Sequence, residues 1–222
     1  MKLLTYKLPS KGFGSSIDIV DLQPLTYREL TLYSSKAEDL SSLAEFIWDF
    51  ENLIMTIPNW EGISMYDVEA IISIRKFISV TNESSVELSD GSEFSLDDVD
   101  FSYINDEIKK IKTVEIMGMK YTPSIKSAKE LYGYLKRADA DGATDIRIAI
   151  VAAYLGLAIP RLLEGVTHED ISLCEFIYSG VIAHPFVKNK EGEEVVLVGS
   201  APKLFQYSLK FCRIDSSKIQ TS

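Results

Sequence analysis

The chain has 222 residues, 46% of them apolar, and a formal net charge of −10. That is enough for one large domain or two small ones, each with its own core. The acidic balance argues against nucleic-acid binding, since phosphate contacts are made by Lys and Arg, and otherwise speaks to solubility rather than fold.

Residues 3–8 and 17–23 have the apolar, β-branched and aromatic content of short strands. Pro9, Gly12 and Gly14 between them supply a turn, Pro by its fixed φ and Gly by its tolerance of positive φ. A helix is expected near Thr26, which has Glu29 at capping-box spacing. Leu40, Leu43, Ala44, Ile47, Phe50, Leu53, Ile54 and Ile57 then recur in three- and four-residue steps, one face of a helix that Pro58 ends. Ser64 can cap a third helix, continued by Val68, Ile71, Ile72, Arg75 and Ile78.

Residues 82–107 hold nine Asp or Glu and no Lys or Arg. Asp90-Gly91, between "SVEL" and "EFSL", predicts a short hairpin followed by an acidic loop. Residues 113–121 read as a strand closed by Pro123, and Ser124 as the cap of a helix to about Ala138. Asp141-Gly142 marks a break. Beyond it come an apolar helix over 144–158, a short piece around Leu162, a helix over 167–181 with Thr167 and Asp170 as N-cap pair, a hairpin around Gly192, and an amphipathic segment over 204–214.

The expected fold class is therefore α+β, mainly helical, with small antiparallel β elements: an N-terminal hairpin, a central hairpin near 86–96 and a C-terminal hairpin near 186–198. The break suggests an N-terminal α+β domain over 1–140 and a mostly helical lobe over 141–222, with one continuous domain as the alternative. The start has no apolar h-region, and the most apolar window, 146–160, is too short to span a bilayer and contains Arg147. A cytoplasmic protein without a membrane role is expected, with Cys174 and Cys212 as buried free thiols.

The residue types offer little chemistry. His168, Asp170 and His184 are the best candidates for an active site, provided they meet in one cleft. With Cys174 and Cys212 they lack the paired spacing of a zinc motif. "DDVDFSYINDEI" begins with alternate carboxylates at Asp98 and Asp100, but Tyr103 stands where an EF-hand needs glycine and Lys109 where it needs glutamate. Gly12-Phe13-Gly14 has neither a third glycine nor a following Gly-Lys-Ser or Gly-Lys-Thr, which excludes a phosphate loop. No catalytic residue, cofactor or metal is expected.

Two stretches carry a family resemblance. Leu8, Pro9, Ser10, Lys11 and Gly12, followed by a strand and by Pro24, Leu25, Thr26 and Glu29, form the first. The second is the helix with Asp67, Ile71, Ile72, Arg75 and Ser79. In this order they resemble the baseplate hub subunits and hub assembly proteins of T-even-type, contractile-tailed bacteriophages. Residues 119–135 are similar to that family's next strand, proline and helix step. The polar module between them lacks the Cys-x-x-Cys pairs of larger relatives. The resemblance implies tail morphogenesis by protein–protein docking, without catalysis. It also implies other tail or baseplate hub proteins as partners, and a place in the host cytoplasm during assembly or in the virion baseplate.

On this reading the partner-binding residues are Leu8, Pro9, Ser10, Lys11 and Gly12 in the turn and Asp97, Asp98 and Asp100 in the acidic stretch. The turn alone is equally compatible with simply connecting two strands. Lys11 separates the two roles, because a turn does not need its charge. Another phage tail chaperone or adaptor module is the alternative class, and an enzyme using His168, Asp170 and His184 a further one.

Overall fold

Alternation of outward polar and inward apolar residues makes the first element a hairpin. In a computed structural model describing residues 3–29, 42–81, 85–87, 93–95, 100–101, 113–116, 118–160, 177, 185–188 and 194–196, β1 (Leu4–Lys7) pairs antiparallel with β2 (Ile19–Leu22), Leu4 opposite Leu22. Val20 and Leu22 point into the core, while Thr5 and Asp21 join across the exposed face. The expected capping box follows: the Thr26 amide donates to Glu29 Oε2 at 2.7 Å, and the Glu29 amide to Thr26 Oγ1 at 3.3 Å. These bonds hold the Glu29 carboxyl below its usual range.

α1 (Ser42–Asp49) buries Leu43, Phe46 and Ile47. It does not run on as an α-helix to Ile57; Phe50–Ile54 form a wider π turn closed by the Met55 amide on the Phe50 carbonyl at 3.1 Å. Side chains take over carbonyls of this stretch. Asn52 Nδ2 donates to the Trp48 carbonyl at 2.8 Å, Thr56 Oγ1 to Asn52 at 3.2 Å, and Arg75 to Leu53 at 2.6 Å. Such insertions into the backbone ladder widen or bend a helix. Leu40 lies outside the described residues.

Ser64 caps as expected, accepting from the Tyr66 amide at 3.3 Å, and a 3-10 turn (Met65–Asp67) leads into α2 (Val68–Thr81). Every residue from 68 to 79 is buried, so α2 is a central helix rather than an amphipathic surface one.

The central hairpin is β3 (Ser85–Glu87) with β4 (Glu93–Ser95), Val86 opposite Phe94; Asp90 and Gly91 lie outside the described residues. β5 (Asp100–Phe101) departs from the expected acidic loop. It pairs with the C-terminal hairpin in a three-stranded sheet, because the extended dipeptide finds a strand edge more than eighty residues away. Residues 113–121 also differ from expectation. They form two strands, β6 (Val114–Ile116) and β7 (Met119–Tyr121), with Ile116 opposite Met119 and Gly118 at φ 71° in the turn.

α3 (Ala128–Ala140) is capped by Ser127, not by Ser124. Only Ser127 has a glutamate three residues on: its amide donates to Glu130 Oε2 at 2.9 Å and its Oγ accepts from the Glu130 amide at 3.3 Å. Ser124 instead donates its amide to the Tyr154 carbonyl at 2.9 Å. α4 (Ile146–Leu155) has Asp145 as N-cap and ends at Gly156 in the left-handed region. The C-terminal hairpin is β8 (Pro185–Lys188) with β9 (Glu194–Val196), Phe186 opposite Val196. Leu162, Thr167, Asp170, Gly192 and residues 204–214 lie outside the described residues; of 167–181 only Ile177 is described, helical and buried.

The fold is thus α+β, mainly helical, with short antiparallel strand groups. One apolar cluster takes in Leu22, Phe50, Ile71, Leu131 and Ala152, residues from both sides of position 140.

Candidate functional site

The Leu8–Gly12 turn is a chain of tight turns. The Leu8 amide donates to the Asp18 carbonyl at 2.8 Å, Lys11 to Leu8 at 3.0 Å, Phe13 to Ser10 at 3.0 Å and Ser15 to Gly12 at 3.0 Å. The path needs positive φ at Lys11 (52°), Gly12 (80°) and Gly14 (75°). Gly14 has a second reason to be glycine: a Cβ there would stand 2.5 Å from Ile125 Cγ2. Gly14→Ala should therefore cost about 2–4 kcal/mol from overpacking and left-handed strain together. Gly142→Ala, with φ 79° and nothing near its Cβ, should cost only the backbone part, about 1–2 kcal/mol. Urea unfolding of the two variants checks this; equal losses would contradict the steric account.

The turn is anchored from within. Ser10 donates its amide to Asp67 Oδ1 at 2.7 Å and its hydroxyl to Oδ2 at 2.6 Å. Asp67 is fully buried, and burial pushes its carboxyl up to about 6 against the opposing pull of the Ser10 hydrogen bonds. Further along α2, Arg75 donates Nε to the Gln23 carbonyl at 2.9 Å, and Nη1 to the Leu53 carbonyl at 2.6 Å and to Thr56 Oγ1. Ser79 Oγ accepts from the Leu25 amide at 2.7 Å and donates to the Arg75 carbonyl at 2.6 Å. Asp67, at the end of the 3-10 turn, and Arg75 and Ser79, on α2, therefore hold three points of the N-terminal segment, and Arg75 ties that segment to the π turn as well.

These contacts divide the candidate residues. Leu8, Pro9 and Ser10 are buried, Gly12 is half-buried and Lys11 is exposed. Phe13 beside them is 45% exposed. What the turn offers outward is its tip, Lys11 and Phe13; what it keeps inside is its anchor. Asp100 lies in β5 opposite Phe186, away in sequence from the turn and paired into a sheet. Asp97, Asp98, His168, Asp170, Cys174, His184 and Cys212 lie outside the described residues, and so does the geometry of the enzymatic alternative. Among the described residues no group of three His, Cys, Asp or Glu side chains is placed to hold a metal ion, and no helix is long and apolar enough to cross a membrane.

Sequence reasoning missed a buried ion pair. Lys76 Nζ lies 2.7 Å from Asp49 Oδ2, with 1% and 2% of the two side chains exposed. Burial pushes the Asp49 carboxyl up to about 6 although Lys76 pulls it down, and Glu45, one turn earlier, is shifted the same way for the same reasons. Asp49 Oδ1 has no hydrogen-bond partner. The available signal was a pair of opposite charges, each inside an otherwise apolar helical period. Nearby, Phe50, Trp60 and Tyr132 pack ring on ring, Phe50 stacked on Tyr132 with centroids 5.2 Å apart. Tyr132 donates its hydroxyl to Glu51 Oε1 at 2.6 Å, which, with burial and the Glu51 charge, raises the phenol to about 12.

Comparison of the chain with family models, with curated proteins and with solved structures finds no match in any of the three.

Proposed function

We propose that this chain is a hub subunit or hub assembly factor of the tail baseplate of a contractile-tailed bacteriophage, acting by protein–protein docking without catalysis. One observation carries the reading. The two stretches that bear the family resemblance are in direct contact, Ser10 meeting Asp67 across 57 residues of sequence. Arg75 and Ser79, from the second stretch, hold Gln23 and Leu25 at the end of the first. Residues that resemble a family signature thus form one structural unit, the behaviour expected of a signature that specifies a fold. That unit presents a braced turn whose tip, Lys11 and Phe13, faces outward. A rigid projecting tip suits docking, because little ordering entropy is lost when a partner closes on it. The partners would be other hub or tape-measure proteins in the infected cell.

Affinity capture of the tagged chain from infected cells, read by mass spectrometry, tests the proposal. Hub or tape-measure proteins should be recovered with the native chain and lost with Lys11→Glu, under conditions where urea unfolding shows the variant to be folded. Recovery of no tail protein with the native chain would contradict it; equal recovery with both would leave the turn as architecture alone.

A further inference from the structure

Both oxygens of Asp67 are taken by one residue of the N-terminal turn, through the Ser10 amide and hydroxyl. Ser10 Oγ in turn accepts from the Gly12 amide at 3.1 Å. A buried carboxylate is ordinarily matched by a cation, because burying an unpaired charge is costly. Asp67, 0% exposed, makes no ion pair among the described residues. The charged groups on the elements around it are Lys11 in the turn, Glu69, Arg75 and Lys76 on α2, and Lys126, whose carbonyl accepts from the Met65 amide; Lys76 is paired with Asp49. Arg75 is committed to the Gln23 and Leu53 carbonyls, and Lys126 Nζ to Ser124 Oγ at 2.7 Å. The turn that Asp67 holds includes a lysine at φ 52°, a conformation that disfavours L side chains and so needs contacts to keep it closed.

We propose that Asp67 is a proton-operated latch on the N-terminal turn: neutral Asp67 holds the turn closed, and ionisation favours its opening to water. The exchange balances simply. A proton taken from water onto Oδ2 is donated to Ser10 Oγ, while Oδ1 still accepts from the Ser10 amide. One hydrogen bond reverses, the Ser10 hydroxyl hydrogen swings away from Oδ2, and the buried charge disappears. In the open turn the carboxylate is hydrated and titrates in its ordinary range, near 3.9. In the closed turn burial raises it to about 6. A group that holds its proton more tightly in the closed state favours closure at low pH. Opening is therefore rarest below about pH 4, rises between 4 and 6 and levels off above; between pH 7 and 5 it should fall roughly tenfold.

The latch governs the surface assigned to docking above, and only the identity of the partner rests on that reading. Hydrogen exchange and carboxyl ¹³C NMR on the full chain test it. After correction for intrinsic exchange, the Ser10 and Gly12 amides should open about tenfold less often at pH 5 than at pH 7. Asp67→Asn, whose Nδ2 can donate to Ser10 Oγ as the neutral acid does, should show no such dependence. Equal opening of the native turn at both pH values, or the same dependence in Asp67→Asn, would overturn the latch. Should the variant not fold, the native carboxyl decides: titration well above the ordinary range, in step with the turn amides, supports the latch, and titration near 3.9 overturns it. Captures that recover no tail protein at either pH, with the titration as expected, count against the baseplate reading while supporting the latch.

Discussion

Arg75→Ala is expected to remove about 3–5 kcal/mol of stability, a large share of what a domain of this kind possesses. The guanidinium serves the Gln23 carbonyl, the Leu53 carbonyl and Thr56 Oγ1 at once. Deleting it orphans a buried acceptor on the π turn and frees the N-terminal segment at Gln23. Each unsatisfied buried group costs about 1–3 kcal/mol, and lost packing adds to that. Arg75→Lys keeps the charge but not the fork that reaches two segments, so it should recover only part of the loss. Urea denaturation measures both variants; a loss below about 1 kcal/mol in Arg75→Ala would mean that the junction is not held as described.

The second large effect concerns Asp49 and Lys76. Lys76→Met should cost about 3–5 kcal/mol near neutral pH, because it strands a buried carboxylate, whereas Asp49→Leu combined with Lys76→Met should recover most of that loss. A double-mutant cycle at fixed pH measures the difference, and additive losses would contradict it. The single variant should also stabilise as pH falls from about 7 to 5, since its carboxyl has lost the ammonium that pulled it down. The native chain shares the sign. Asp49 and Asp67, both raised to about 6 in the folded state, bind protons more tightly folded than unfolded. Their contribution to stability therefore improves as pH drops through 6 toward 4. Glu29, Glu130 and Asp145 are shifted downward and act oppositely; their stabilisation is present above the ordinary carboxyl range and lost as pH falls through their folded values. The stability maximum is expected on the acid side of neutrality, and a melting series from pH 4 to 8 locates it.

What was legible in the sequence was mostly local. Thr26 and Glu29, or the alternation across residues 4–7 and 19–22, need nothing beyond their own neighbours to form. Ser124 has the residue type of a cap, but the reciprocal bonds require the glutamate that only Ser127 has at the right distance. The hairpin at Gly118 was hidden by apolar residues on both sides, with a single glycine as the clue. The π turn could not be read from α1 at all, since one of its carbonyl partners is Arg75 on another helix. The same holds for the Leu8–Gly12 turn. Leu8, Pro9 and Ser10 lie in a polar, turn-forming stretch, and their burial follows from Asp67, 57 residues on from Ser10. The resemblance named both ends of that contact.

The central claim, a part in baseplate assembly, is tested most directly by electron microscopy of particles from a phage whose genome carries a stop codon early in this chain. Filled heads without complete tails, restored by the native chain supplied in trans, are the predicted result. Complete contractile-tailed virions in normal number would contradict it.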